Sequence, residues 1–375
     1  MRLEFTDSQL ALQQELRAFF DSEAPVEAIR EAEKDRALRR GSAWERFVER
    51  GWLAAPLPEA YGGQGRSFTD LCVLLEEAGR SLFTGPVLST LVLGALPISN
   101  FGSQSQKDSL LPQVARGETV LTAALDDPEG DLESRTVARQ IGDGFVLNGQ
   151  KVFVNAADVA DYVLVTARLG QDTAQSSVFI VPTNATGVTV RPTAALAPEF
   201  DCIVELDDVE LSADSVLGGD EAGQKVQDLI FRLGAVGLCA LMLGATQRIF
   251  EMTVEYAKQR TQFGRPIGSF QAVQHHCANM AIDVDTMRYV TYVAAGRLGT
   301  GENPDHSVAL AKGWCSMASE RVLALAHQVH AGVGFLEDHP LNLFTRRLKV
   351  WAMANGSAQN HMETLAIELS NKSVV

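Results

Sequence analysis

The sequence predicts a multidomain α+β protein in which a helical region, a β region and a second helical region follow one another along 375 residues. Apolar residues recur with a period near 3.6 in the first and last parts of the chain, and with a period of two between them. The length also exceeds what one hydrophobic core usually supports. We therefore place an N-terminal helical domain at 1–117, a middle β domain at 118–212 and a C-terminal helical domain at 213–375.

Composition and charge narrow the class of protein. Hydrophobic residues make up 46% of the chain and charged residues 21%, which is typical of globular proteins. The formal charge of −15 argues against nucleic acid and anionic membranes as partners. Leu233 to Gln247 is uncharged but too short to span a bilayer, so we expect a buried helix there.

The cysteines and the start of the chain indicate a compartment. Five cysteines are widely spaced and odd in number, which argues against a zinc site and favours a reducing environment. The first residues lack the basic and apolar segments of a secretory signal. We therefore expect a cytoplasmic protein.

The first region reads as a series of helices. From Asp7 to Phe20, leucines and phenylalanines follow the helical period, and Pro56 to Gly65 is typical of a loop. Further helix-length segments separated by Gly, Pro or Asn are Trp44–Gly51, Thr69–Ser81, Leu88–Ile98 and Gln104–Arg116.

The middle region reads as strands. Phe145 to Val154 contains Asn148-Gly149, a pair that favours a type I′ turn, so we expect a hairpin there. Further strands are predicted at Tyr162–Thr166, Ser177–Val181, Val188–Val190 and Ile203–Leu211.

The last region reads as a four-helix bundle, with helices at 222–260, 270–298, 305–331 and 342–371. The first two are joined by a basic turn ending at Arg260, after which Gly264 and Pro266 stop the helix. Ser269 is expected to cap the helix that follows. An arginine in a last helical turn is favoured by the helix dipole alone, so Arg260 does not by itself indicate a ligand.

Two segments carry a family resemblance. Arg260-Thr-Gln-Phe-Gly-Arg-Pro-Ile-Gly-Ser-Phe-Gln271 and Pro58-Glu-Ala-Tyr-Gly-Gly-Gln-Gly65 resemble motifs of the acyl-CoA dehydrogenases, and the similarity runs in register over nearly the whole chain. The resemblance implies the acyl-CoA dehydrogenase fold, with a barrel-like middle domain, and FAD as cofactor. It also implies that Arg260, Phe263 and Gln271 contact FAD across a subunit interface.

The resemblance further identifies the flavin segment and the position of the catalytic base. Gln328-Val-His-Ala-Gly332 is similar to the family's Q-x-x-G-G, with alanine for one glycine, and implies that Gln328 and Gly332 contact FAD. Met353 to Gln359 lies where relatives carry Y-E-G-T, which implies FAD contacts for Ser357 and Gln359. The base position falls on Asn355, and an amide is no base near neutral pH.

Some relatives carry the base on the first helix of the C-terminal bundle, at a position that corresponds to Gly234. No Asp or Glu occurs between Leu229 and Phe250. The neighbouring arginine that meets substrate in relatives corresponds to Ala235, although Arg232 lies less than one turn away. We therefore expect no intact catalytic base in this chain.

The β domain also departs from the family pattern. Relatives have T-E-P-x-A-G-S-D where this chain has Leu125 to Glu133, and we expect the added carboxylates to face a polyanionic ligand. The W-I-T strand that covers the flavin becomes Phe153-Val-Asn155. Phe153 can stack and Asn155 can hydrogen-bond, so flavin contact there is weakened rather than lost.

A metal site is not expected. His327 and His330 have an i, i+3 spacing that metals can use, but no third ligand is evident in the sequence.

Together these observations predict a subunit of a heteromeric acyl-CoA dehydrogenase. Such a subunit lacks its own base and completes the FAD site of a homologous partner chain, a pattern that resembles certain bacterial acyl-CoA dehydrogenases, including ones for steroid side-chain CoA thioesters. One alternative is a self-sufficient flavoenzyme of the same fold, either a dehydrogenase with a different base or a flavin monooxygenase, that assembles as a tetramer. A second alternative is a structural binding module without flavin.

Overall fold

The computed structural model describes residues 5–128, 136–170, 175–193, 196–197, 202–219, 222–300 and 303–372. The chain divides into two compact units. The first comprises Met1–Ile29, Ser67–Phe83 and Ala235–Val375, and the second comprises Arg30–Arg66 and Thr84–Gly234. The three-domain division at 117 and 212 stays a prediction.

The N-terminal helices lie close to their predicted places. They are α1 (Asp7–Glu23), α2 (Val26–Lys34), α3 (Ser42–Glu49), α4 (Phe68–Ser81), α5 (Leu96–Phe101) and α6 (Gln104–Ala115). Capping boxes begin α1, α4 and α6, in which a Ser or Thr and a residue three positions later satisfy each other's backbone N–H groups. The predicted helix at Leu88–Ile98 is a π-helix over Leu88–Ala95 that continues into α5. The sequence prediction missed α2.

The middle region is a β-structure in the second unit. Its strands are β1 (Leu121–Ala124), β2 (Val137–Ile141), β3 (Gly144–Val154), β4 (Tyr162–Leu169), β5 (Ser176–Pro182), β6 (Val188–Pro192), β7 (Cys202–Ser212) and β8 (Val216–Leu217). They form one sheet in the order β6-β7-β3-β2-β4-β5-β8, with β1 parallel to β4. Apolar side chains from these strands pack into a shared core, which includes Leu147, Val165 and Phe179.

The predicted hairpin at Asn148-Gly149 is wrong. Both residues lie inside the continuous strand β3, and the β2–β3 turn is formed instead by Gly142 and Asp143. The Asn148 amide bridges to Asp208 on β7 at 2.9 Å, beside a bulge in the β3–β7 pairing. A Cβ on Gly149 would lie 2.7 Å from the Cα of Thr136, so close backbone approach requires the glycine. Cross-strand contacts thus override the local turn preference.

The last region contains α7 (Gly223–Gln259), a short hairpin of β9 (Thr261–Gln262) and β10 (Arg265–Pro266), α8 (Gln271–Leu298), α9 (Asp305–His330), α10 (Pro340–Met353) and α11 (Ala358–Lys372). Within the described residues, α7 alone is long and apolar enough to cross a bilayer. However, 83% of its most apolar window is buried, as is usual for a core helix and as predicted for Leu233 to Gln247. The predicted single helix at 342–371 is wrong, because the chain turns sharply at 354–357.

Candidate functional site

A projecting hairpin joins α7 to α8 in the first unit. β9 pairs antiparallel with β10, and the two residues between them, Phe263 and Gly264, have φ values of 51° and 78°. Positive φ at both central residues is typical of a type I′ turn. A bulky residue in this region of φ is disfavoured by about 1–2 kcal/mol, and the Phe263 side chain is 92% exposed. The fold thus holds an aromatic ring outward at an energetic cost.

Local contacts hold the residues next to the hairpin turn in place. The Arg265 guanidinium lies 4.2 Å from the centroid of the Phe270 ring, and the Phe263 ring meets Phe270 edge-on at 6.1 Å. The Ser269 hydroxyl donates to the Pro266 carbonyl at 2.7 Å, and the N-cap residue of α8 is Phe270. The predicted cap by Ser269 is therefore wrong, because the nearer carbonyl of the hairpin takes its hydroxyl.

The polar groups of the hairpin face outward. Arg260 and Gln271 are both exposed, and among the described residues the Arg260 guanidinium has no hydrogen-bond or ion-pair partner. Gln271 is the first residue of a 28-residue helix whose N-cap provides no side-chain hydrogen bond. A free guanidinium and an uncapped helix N-terminus both favour an anionic ligand.

The flavin segment predicted at Gln328–Gly332 lies where α9 gives way to a 3₁₀ turn, Ala331–Phe335. Ala331 has φ 52° and ψ −140°, a conformation that suits the glycine of the family motif and strains an alanine. A Cβ on Gly332 would meet no atom within 4 Å, so the backbone there is open to a ligand. Gln328 is exposed.

His330, within this segment, is buried. Its ring is 2% exposed and stacks on Tyr256 of α7 with 4.4 Å between centroids. Neither ring nitrogen has a hydrogen-bond partner among the described residues. Burial, together with His339 and His327, lowers the His330 pKa to about 4, so the ring is neutral near pH 7. No group of three or more metal-ligating side chains occurs within the described part of the chain.

The segment with the predicted base position forms the turn between α10 and α11. Asn355 and Gly356 have φ values of 53° and 88°, which ends α10 and explains why the predicted continuous helix is broken. Ser357 then starts α11: its hydroxyl accepts the Asn360 N–H at 3.3 Å and its N–H donates to the Asn360 Oδ1 at 3.0 Å. Gln359 is exposed and donates to Glu363 at 2.8 Å.

This turn is supported from the inside by Lys312 of α9. Its ammonium donates to the carbonyl oxygens of Ala352 at 2.9 Å and Gly356 at 3.0 Å, and to the Ser316 hydroxyl at 3.2 Å. The Nε2–H of His361 donates to the Asn355 carbonyl oxygen at 2.8 Å. Sequence reasoning missed Lys312 and His361, since neither belongs to a recognisable motif.

The alternative base position lies within α7. Gly234 is buried, as is Ala235 beside it, and Arg232 is half-buried. Neither Gly234 nor Asn355 provides a carboxylate. That these two positions correspond to the family's base positions stays a prediction.

Phe153 and Asn155 belong to the second unit, at the end of β3. Phe153 has φ 54° and is 69% exposed, whereas Asn155 is buried and its carbonyl oxygen accepts the Thr122 hydroxyl at 2.6 Å. Within the described residues, seven non-glycine residues have positive φ, and Phe153, Phe263, Ala331 and Asn355 are four of them. Backbone strain thus concentrates in the segments predicted to meet FAD, as is common at functional sites.

The acidic loop before β2 differs from its prediction. The Asp127 carboxylate is buried and forms an ion pair with Lys151 at 3.0 Å, while the Thr136 hydroxyl donates to it at 2.9 Å. The expectation that it faces a ligand is wrong, because Lys151 draws it inward. Burial lowers the Lys151 pKa, and Asp127 opposes that shift. Asp126 is exposed, and the rest of the predicted loop, residues 129–133, lies outside the described residues.

Comparison with known proteins identifies the family of the chain. Residues 6–118, 128–209 and 221–369 match the family descriptions "Acyl-CoA dehydrogenase, N-terminal domain", "middle domain" and "C-terminal domain". The chain belongs to the acyl-CoA dehydrogenase family. The predicted fold class is thereby confirmed.

Individual relatives align over most of their length. Acyl-CoA dehydrogenase FadE27 of Mycobacterium tuberculosis is 31% identical, with 98% of this chain and 99% of that protein covered. The 3-(aryl)acrylate reductase of Clostridium sporogenes is 30% identical, with 87% and 89% covered. The crystal structure of the ChsE4-ChsE5 complex from Mycobacterium tuberculosis gives a TM-score of 0.90 at 30% identity, with 99% of each chain covered.

FAD is the cofactor of this family, and the first unit offers groups that fit it. A free guanidinium at Arg260 and the uncapped start of α8 suit a diphosphate, and the exposed Phe263 ring suits stacking against a planar heterocycle. The open backbone at Gly332 allows close approach. When bound, FAD accepts a hydride from the substrate. The assignment of individual residues to FAD stays a prediction.

Proposed function

We propose that this chain is the base-deficient subunit of a heteromeric acyl-CoA dehydrogenase, which converts an acyl-CoA to the 2-enoyl-CoA. The observation that carries the proposal is the contrast between Asn355, an amide at the base position, and the exposed hairpin with Arg260 and Phe263. The resemblance to a structure that is itself a complex of two named chains, ChsE4 and ChsE5, supports it.

The reaction requires a base that Asn355 does not provide. The α-carbon loses a proton to a carboxylate while a hydride leaves the β-carbon, and the electrons of the broken α C–H bond form the new double bond. The homologous partner chain is proposed to supply that carboxylate at its own site.

The turn at Asn355 remains suited to binding. The carbonyl oxygens of Asn355 and Gly356 accept hydrogen bonds from His361 and Lys312, and we propose that the backbone of this turn donates a hydrogen bond to a thioester oxygen. Such a hydrogen bond acidifies the α-carbon of a bound thioester. A thioester can therefore bind at a site that has no base to remove its α-proton.

The hairpin is proposed to complete the partner's flavin site. Its Arg260 guanidinium is exposed and without an intramolecular partner among the described residues, in a chain of net charge −15. A free cation in a strongly acidic protein favours an anionic ligand at that place. The exposed Phe263 ring would be covered by the same partner chain.

The proposal is tested by purifying the chain alone and after co-expression with a homologous neighbouring gene product that carries the glutamate. We expect little flavin in the isolated chain, and flavin absorbance with acyl-CoA oxidation in the co-purified complex. A yellow homotetramer that oxidises acyl-CoA by itself, or consumes oxygen as a flavin monooxygenase, would contradict the proposal and favour the self-sufficient alternative. A complex without flavin would favour the structural module.

A further inference from the structure

Lys312 is a fully buried lysine that the reaction described above does not use. Its side chain is 0% exposed, and all three ammonium hydrogens have acceptors: the Ser316 hydroxyl, the Ala352 carbonyl and the Gly356 carbonyl. Ser316 also donates to the Ala352 carbonyl at 3.1 Å. A buried ammonium is stable only when its donors are satisfied.

These contacts fall on both sides of Asn355. Ala352 lies in the last turn of α10, where carbonyl oxygens lack intrahelical partners, and Gly356 lies in the turn itself. His361 holds the intervening Asn355 carbonyl from α11. Three carbonyl groups of the five residues 352–356 are thus directed at donors from α9 and α11.

We propose that Lys312 is a positioning residue for the Asn355–Gly356 turn, holding in place the backbone at which the thioester is proposed to bind. If the turn moved away, the ammonium would be left buried without two of its acceptors, which is strongly unfavourable. The clamp follows from these contacts alone. Its role in ligand binding rests on the function proposed above.

The charge state of Lys312 agrees with this role. Burial lowers its pKa to about 8, with Cys239 and Cys315 opposing the shift, so the side chain is mainly an ammonium at pH 7. An ammonium has the three donors that the three acceptors require. The clamp is therefore engaged at neutral pH.

Deamidation of the Asn355-Gly356 pair reports how firmly the turn is held. In Asn-Gly pairs the backbone nitrogen of the glycine attacks the Asn side-chain carbonyl carbon, ammonia leaves, and water opens the resulting succinimide to aspartate or isoaspartate. The attack requires the backbone around Asn355 and Gly356 to rotate. A clamped turn should therefore deamidate slowly, and a released turn quickly.

The experiment follows deamidation at Asn355 by peptide mass spectrometry in the purified chain at fixed pH and temperature. We expect Lys312→Met to deamidate at least about tenfold faster than wild type, equivalent to about 1.4 kcal/mol in the opening equilibrium. Lys151→Met is the matched control, since Lys151 is equally buried and pairs with Asp127 in the second unit. Its Asn355 rate should equal that of wild type.

A second variant changes the structure less than Lys312→Met and tests the clamp even where Lys312→Met fails to fold. Ser316→Ala removes one hydroxyl that bonds both Lys312 and Ala352, and should accelerate deamidation about two- to fivefold, in line with the loss of one net hydrogen bond. Wild-type rates in folded Ser316→Ala and Lys312→Met would overturn the clamp. This readout needs neither flavin nor partner, so it stands or falls separately from the proposed function.

The ligand role is tested in the assembled complex. We expect Lys312→Met to weaken acyl-CoA binding at this chain's own site, measured by titration with a non-reacting acyl-CoA thioether. Faster deamidation with unchanged acyl-CoA affinity would show a structural clamp only and overturn the positioning role.

Discussion

Two turns in the first unit share a backbone design but differ in their surroundings. Phe263-Gly264 turns the hairpin with φ values of 51° and 78°, and Asn355-Gly356 turns α10 into α11 with 53° and 88°. The first projects an aromatic ring that is 92% exposed. The second is held from within by Lys312 and His361.

The difference shows what each turn is built to meet. The hairpin is supported at its base by Arg265 on Phe270, while its tip has a strained, exposed Phe263. Strained backbone positions cluster at active sites and ligand-binding sites. The Asn355 turn has internal support, and the residue that it presents is an amide rather than a carboxylate. This difference fits the proposal that the hairpin meets a partner chain and that the Asn355 turn binds a thioester without providing a base.

The largest expected effect comes from restoring the missing carboxylate. Asn355→Glu should raise acyl-CoA oxidation at this chain's site by about a hundredfold or more, since general bases contribute about 10²- to 10⁴-fold. The measurement is turnover in the assembled complex with a panel of acyl-CoA substrates.

Asn355→Gln is the matched control for this change, because it has the length of glutamate without its basicity. It should leave turnover as in wild type. Equal rates for the Glu and Gln variants would mean that the site lacks more than its base, and would erase the contrast between the two turns.

The second-largest effect is expected from removing the Arg260 guanidinium of the hairpin. Arg260→Ala should raise the dissociation constant of FAD in the complex about ten- to hundredfold, as expected for loss of hydrogen bonds to a charged group, worth about 1.5–3 kcal/mol. Lys258→Ala controls for net charge, since Lys258 is an exposed cation two residues earlier. Unchanged flavin affinity in Arg260→Ala would favour the structural module.

Acid should destabilise the packing between α7 and the flavin segment through His330. Its pKa falls from 6.5 to about 4 on folding, so between these values the unfolded state binds more protons and stability rises with pH. Lowering the pH from 7 to 5 should therefore cost up to about 2 kcal/mol of unfolding free energy. Chemical denaturation at the two pH values measures this loss.

His330→Phe should reduce this pH dependence while keeping the stack on Tyr256. It should not abolish it, because burial also lowers the pKa values of His327, His339 and His361. An identical pH dependence in wild type and His330→Phe would show that His330 titrates normally.

The smallest effect is expected at the altered glycine of the flavin segment. Ala331→Gly should raise the unfolding free energy by about 1 kcal/mol, since relief of strain of about 1–3 kcal/mol exceeds the entropic cost of glycine. Gly332→Ala is the control, because its Cβ meets nothing within 4 Å and its φ lies outside the left-handed range. A loss of stability in Ala331→Gly would contradict the strain.

Motif order predicted the fold and most helices, but two local preferences misled. Asn148-Gly149 favours a turn, yet the Asn148 bridge to Asp208 and the close approach to Thr136 place both residues inside β3. The helical period across 342–371 concealed the turn at Asn355, because apolar spacing is similar on both sides of the break. In each case, groups distant in sequence decide the backbone.

The sequence by itself determined the order of helical and β regions, the family motifs and the amide at position 355, since these depend on residue identity and local spacing. Only the tertiary structure decided that Asp127 pairs inward with Lys151, and that Lys312 joins carbonyls 40 and 44 residues away. Burial and pairing of charges depend on which segments meet in the fold. Local sequence patterns do not show which segments pack together. The contacts of Lys312 and His361 beneath Asn355 are therefore seen only in the tertiary structure.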